Sequence, residues 1–98
     1  MKFEIDYAPS TRDHIQVLDA RERAILFAAV EKNLTYEPAR ESRNRKRLRN
    51  NPFASHELRV RNLRIFYKID EEKGRVHIEA IGRKIRNKLL IGDEGVSL

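Results

Sequence analysis

Residues 57–84, reading ELRVRNLRIFYKIDEEKGRVHIEAIGRK, restrict the fold more than any other part of the chain. Leu58 and Val60 alternate with Glu57, Arg59 and Arg61, the period of a half-buried strand. Arg61 and Asn62 fall where a tight turn is needed, and Leu63 to Ile69 is a second β-rich run. Asp70 to Gly74 has turn chemistry, and Arg75 to Gly82 makes a third strand. The result is a β-meander with one apolar face. A turn centred on Arg61 and Asn62 sets Arg59 directly opposite Arg64. Like charges there are destabilising, so the pair points to a bound anion. If Ile69 pairs with Val76, His77 falls opposite Lys68.

Upstream, Phe3, Ile5 and Tyr7 alternate with charged residues and predict a first strand, ended by Pro9. Ser10 with Asp13 resembles a capping box and opens a short helix over 10–18. Asp19 with Glu22 repeats the signal and opens a longer helix over 19–35, where Leu26, Val30 and Leu34 recur every four residues before Pro38 stops it. Residues 39–55 are basic and read as a surface connection without a strong element of its own. The tail carries an apolar patch, Leu89 to Ile91, and is expected to add an edge strand.

The predicted order is thus β-α-α-β-β-β, an α+β fold in one domain over 1–98. The helices cover a sheet face made by Phe3, Ile5, Leu58, Val60, Ile65, Tyr67, Val76 and Ile78. The opposite face, with Arg59, Arg64, Phe66, Lys68 and His77, is left to solvent or a ligand.

Charge gives that face its meaning. Lys and Arg outnumber Asp and Glu by 21 to 15, and a small basic domain suits nucleic acid or an acidic protein partner. No cysteine is present, and the three histidines, His14, His56 and His77, lack metal-ligand spacing, so no metal or cofactor is expected. No apolar run approaches the ~20 residues of a membrane span, and the N-terminus lacks a signal-peptide core. A soluble, cytoplasmic protein is expected. Cations on a sheet suit a phosphate backbone and could stabilise charge developing on phosphorus when a ribose 2′-hydroxyl attacks it. That reaction also needs proton carriers, for which His56, His77 and Tyr67 are the candidates. Tyr67 shares the inward parity of Ile65 and Ile69 and is read as a core tyrosine.

In wording and element order the chain resembles the RelE/ParE superfamily of bacterial type II toxins, most densely from Arg47 to Lys84, where the arginine pair, the Phe66–Tyr67 step and the acidic turn follow in order. The resemblance implies a RelE-like fold with a helical hairpin on a mostly antiparallel sheet, and neutralisation by a cognate antitoxin. For the RelE branch it implies metal-independent mRNA cleavage on the ribosome. It assigns Arg64 to the central phosphate contact, Arg59 to a basic position on the preceding strand and Lys84 to a cation at the end of the last one; His77, placed on the same face by register, is the candidate proton carrier there. Arg45, Lys46, Arg47, Arg49 and Lys68 would hold RNA.

This sequence departs from the family in two places. Glu57 stands where active members carry lysine, and Leu90 falls near their C-terminal tyrosine or histidine acid. Strict alternation also puts Arg83, not Lys84, on the open face unless Gly82 bulges or ends the strand. Three readings follow: a ribosome-dependent mRNA endonuclease, a ParE-like inhibitor of DNA gyrase acting by protein contact, or an attenuated protein that still binds RNA and antitoxin. The first is separated from the other two by whether His56 or His77 reaches Arg64.

Overall fold

Two helices lie on one face of a twisted, mostly antiparallel sheet. The computed structural model describes residues 1–96. Its elements are β1 (Glu4–Tyr7), α1 (Thr11–Gln16), α2 (Ala20–Leu34), β2 (Arg45–Arg47), β3 (His56–Val60), β4 (Leu63–Asp70), β5 (Arg75–Ile85), β6 (Lys88–Ile91) and β7 (Glu94–Val96). The sheet runs β2-β3-β4-β5-β6-β7, and β1 pairs parallel to β5. The long β5 is shared along one edge: β1 takes Arg75 to Ile78, and β6 takes Gly82 to Ile85.

α2 begins where the sequence says. The Asp19 carboxylate accepts from the Glu22 N–H at 2.7 Å, and Glu22 accepts from the Asp19 N–H at 3.0 Å, closing the capping box. α1 starts differently from the expectation. Ser10 makes no cap, since its backbone is already helical, and its hydroxyl donates instead to the Glu79 carbonyl. The helix ends at Gln16 rather than Leu18, which is still buried in the core. Leu26, Val30 and Leu34 of α2 pack with Leu58, Ile65, Tyr67, Val76 and Ile78, and Phe3, Ile5 and Val60 close the margin. The expected core face is therefore the observed one.

Three expectations are corrected. First, the basic stretch contains a strand, β2, paired with β3. A run of cations gives no alternation to read, and Arg45 holds the strand by donating to the carbonyls of Asn33 (2.8 Å), in the last turn of α2, and of Glu37 (3.1 Å), just past its end. Second, Phe66 is not on an open face. The loop after β2 folds back over it, so that Phe66, Ala54 and Ala80 form a second small core flanked by Leu48, Phe53, Leu89 and Ile91. The Phe53 and Phe66 rings meet edge to face at 5.9 Å. Third, the tail adds two strands, not one.

Candidate nucleic-acid interface

The register predicted for the meander is the register found: Arg59 opposes Arg64, and Lys68 opposes His77. Between these rows the β4–β5 ladder slips. Phe66 pairs with Ala80 while Tyr67 pairs with Ile78, leaving Glu79 as the extra residue of a β-bulge. The bulge reverses the parity of the rest of β5. Ala80 joins Phe66 beyond the sheet, and Ile81 turns to the helix side. Gly82 then lies opposite Arg64, and Lys84 follows on the same face, its N–H donating to the Asn62 carbonyl at 2.7 Å. The conflict over Arg83 and Lys84 is thus resolved at Glu79, not at Gly82. Arg83 faces the helix side, where its Nη2 is 3.8 Å from Asp93 and its buried Nε has no partner among the described residues.

α1 holds the bulge in place. Ser10 Oγ donates to the Glu79 carbonyl (3.3 Å), and the Ile81 N–H donates to His14 Nδ1 (3.2 Å), so the backbone groups released by the slip are taken up. Ser10 and His14 were missed as a pair in the sequence, although an i, i+4 spacing on one helix face is a legible signal.

At the hairpin end, Arg59, Arg64 and Lys84 share the face away from the helices. The Arg64 guanidinium is fixed by Nη1, which donates to the carbonyls of Arg61 (2.8 Å) and Leu63 (2.9 Å). No hydrogen bond among the described residues takes its Nε or Nη2, which leaves an edge for an oxyanion. Arg61 supplies the turn in the left-handed conformation, at φ 55. Arg59 is already engaged. Its Nε donates to Oε1 of Glu57, a buried carboxylate on the same face, so the charge opposite Arg64 is balanced from within the protein.

The other cations divide between the two faces. Lys46 pairs with Glu57 and shares its face, whereas Arg45 and Arg47 pair with Leu58 and His56 and turn to the helix side. Arg45 is a clasp for the end of α2. Arg47 and Lys68 line a groove of about 760 Å³ with Leu48, Asn50 and Asn51. Arg47 and Arg49 border a second, polar one with Glu41.

The proton carriers lie elsewhere. His56 has the parity of Leu58 and stacks on Tyr67 at 5.4 Å, away from Arg64, and burial lowers its pKa, helped by Arg47. His77 is on the open face but four residues of strand from Arg64, about 13 Å, with Nδ1 on Asp6 Oδ1 at 2.7 Å. Tyr67 is a core residue whose phenol is raised well above its ordinary pKa, chiefly by burial. Leu90 pairs with Arg83 and takes the helix-side parity. Among the described residues no group of three His, Cys, Asp or Glu could hold a metal ion, and no helix is long and apolar enough to cross a membrane.

No protein-family model matches the chain, and no curated protein matches it. Among solved structures it is similar to a chain of the toxin–antitoxin complex RelBE2 from Mycobacterium tuberculosis, with a TM-score of 0.70 and 23% identity, covering 85% of this chain and 99% of that one. The chain therefore has the RelE-like α+β fold expected from its sequence.

Proposed function

We propose that this chain is the toxin of a type II toxin–antitoxin pair, that its cationic face takes the phosphate backbone of mRNA on the ribosome, and that it arrests translation mainly by holding that RNA. The fold is that of a protein solved as a toxin–antitoxin complex. The observation that carries the RNA reading is that Arg64, with one edge of its guanidinium unoccupied among the described residues, shares a face with Arg59 and with Lys84, the last brought there by the bulge at Glu79.

Those cations supply half of what RNA cleavage needs. As the 2′-oxygen bonds to phosphorus and the 5′-oxygen leaves, negative charge grows on the phosphoryl oxygens. A preorganised donor such as Arg64 is worth roughly 10²–10³ in rate there. Transfer of the 2′-hydroxyl proton and protonation of the 5′-oxygen are worth a further ~10²–10⁴ each when a side chain carries them. Neither histidine is beside Arg64, and Glu57 is tied to Arg59. Cleavage by this face is accordingly slow, lacking roughly 10²–10⁴ for each of the two proton transfers, and binding dominates.

The test is expression of wild type and Arg64→Ala without antitoxin, with protein synthesis, DNA supercoiling and mRNA 5′ ends followed together. Wild type should stop translation within minutes and leave few new 5′ ends, and Arg64→Ala should restore growth. Equal toxicity of the two would remove Arg64 from the site. Arrest through lost supercoiling, with translation intact, would replace this reading with inhibition of gyrase.

A further inference from the structure

Glu57 is an acidic side chain set among cations. It opposes Lys46 on one side and Phe66 on the other, and Arg59, two residues on, donates its Nε to Oε1. Its side chain is 9% exposed against 43% for Arg59, so the carboxylate is the buried partner and the guanidinium the exposed one. A carboxylate held this far from water requires a cation at hand. Arg59 in turn faces Arg64 across the ladder, a like-charge pairing that Glu57 relieves.

We propose that Glu57 is an internal counter-anion of the phosphate site, so that an RNA phosphate gains Arg59 only by displacing it. This rests on the RNA reading above and refines it. A guanidinium grips a phosphate through two parallel N–H groups, and one edge of that fork includes Nε. With Nε on Glu57, Arg59 offers only its Nη edge, and a phosphate approaching that edge meets a carboxylate's charge. Arg64, fixed by backbone carbonyls and with Nε and Nη2 turned to no partner among the described residues, takes the first phosphate. Glu57 thereby sets how strongly a polyanion must be drawn to the face before Arg59 joins.

The experiment measures binding of a labelled oligouridylate across a salt series, with inorganic polyphosphate as a second probe. It uses wild type, Glu57→Gln, Arg59→Gln and the double variant, each checked by thermal melting. Glu57→Gln keeps the shape and removes the charge. It should bind roughly tenfold tighter at low salt, and its log affinity against log salt should steepen by about 0.7, one more phosphate contact on a single strand. Arg59→Gln alone should cost less than about threefold, because Glu57 already occupies Arg59, and the gain from Glu57→Gln should vanish in the double variant. Equal affinity and slope for wild type and Glu57→Gln would overturn the proposal and leave RNA binding standing. Tighter polyphosphate binding by Glu57→Gln, with no RNA bound by any variant, would support the counter-anion and sink the RNA reading. Should Glu57→Gln not fold, a loss well above threefold for Arg59→Gln alone overturns the proposal. Binding of neither probe by any variant overturns both.

Discussion

Tyr67 is wholly buried, and its hydroxyl is satisfied by the carbonyl of Pro38 at 2.7 Å. Pro38 is itself buried just past the end of α2, so this one hydrogen bond ties the helix exit to the centre of the sheet. Tyr67→Phe should cost about 1–3 kcal/mol, because it strands a buried carbonyl as well as removing the bond. In urea the midpoint should fall with an unchanged slope, and an unshifted midpoint would show that the carbonyl finds water instead. The inward position of Tyr67 was legible from parity alone. The role of Glu57 was not. Alternation placed it on the cationic face, but a residue's parity does not say which of two neighbouring charges it neutralises, so the Arg59–Arg64 pair read as a vacancy for an outside anion. Arg45 failed for a related reason: composition counts it as positive charge on offer, whereas its donors are bound to Asn33, Glu37 and Ser42.

The element that decides the site is β5, through its bulge. Strands announce bulges in sequence mainly by glycine or proline, and Glu79 is neither, so the strict period carried Arg83 to the wrong face. What fixes the slip is α1, a helix too short to be stable alone. His14 can accept from the Ile81 N–H only while Nδ1 is unprotonated. Burial lowers its pKa below the usual 6.5, against the opposing pull of Asp13, and Asp93 and Glu94 line the same hollow. With the folded-state pKa depressed, the unfolded chain takes up the proton first as pH falls. Stability from His14 is therefore complete above about pH 6.5 and is lost as pH drops through that value and then through the folded pKa. His56 is shifted the same way and adds to the effect. His14→Ala should lose about 1 kcal/mol at pH 7.5, the worth of one hydrogen bond, and should show a flatter decline in melting temperature between pH 7 and 5 than wild type. An identical acid limb in the two proteins would remove His14 from the bulge.

At the scale of the molecule, a formal charge of +6 is distributed unevenly over the two sides of the sheet. Lys46, Arg64, Lys68 and Lys84 share the face away from the helices, and Arg45, Arg47 and Arg83 lie on the other. The sequence shows the sum and the sheet shows the division, since β2 alternates and β5 slips. On the proposed function, a partner that silences the chain by covering this face must meet the first set. It would be an acidic segment, such as an amphipathic antitoxin helix, laid across Lys46, Arg64 and Lys84. Contacts of that kind weaken as the screening length shortens from about 10 Å at 0.1 M salt to about 3 Å at 1 M. The dissociation constant of the complex with the proposed antitoxin should therefore rise by at least about tenfold over that range, carried mostly by slower association. Lys84→Glu should weaken the complex further at low salt, while Arg12→Glu, on the exposed side of α1, should leave it within about twofold. Because Lys84 reaches this face only through the bulge, the two variants also test the fold's part in recognition. An affinity indifferent to both salt and Lys84→Glu would place the partner on the helix side instead.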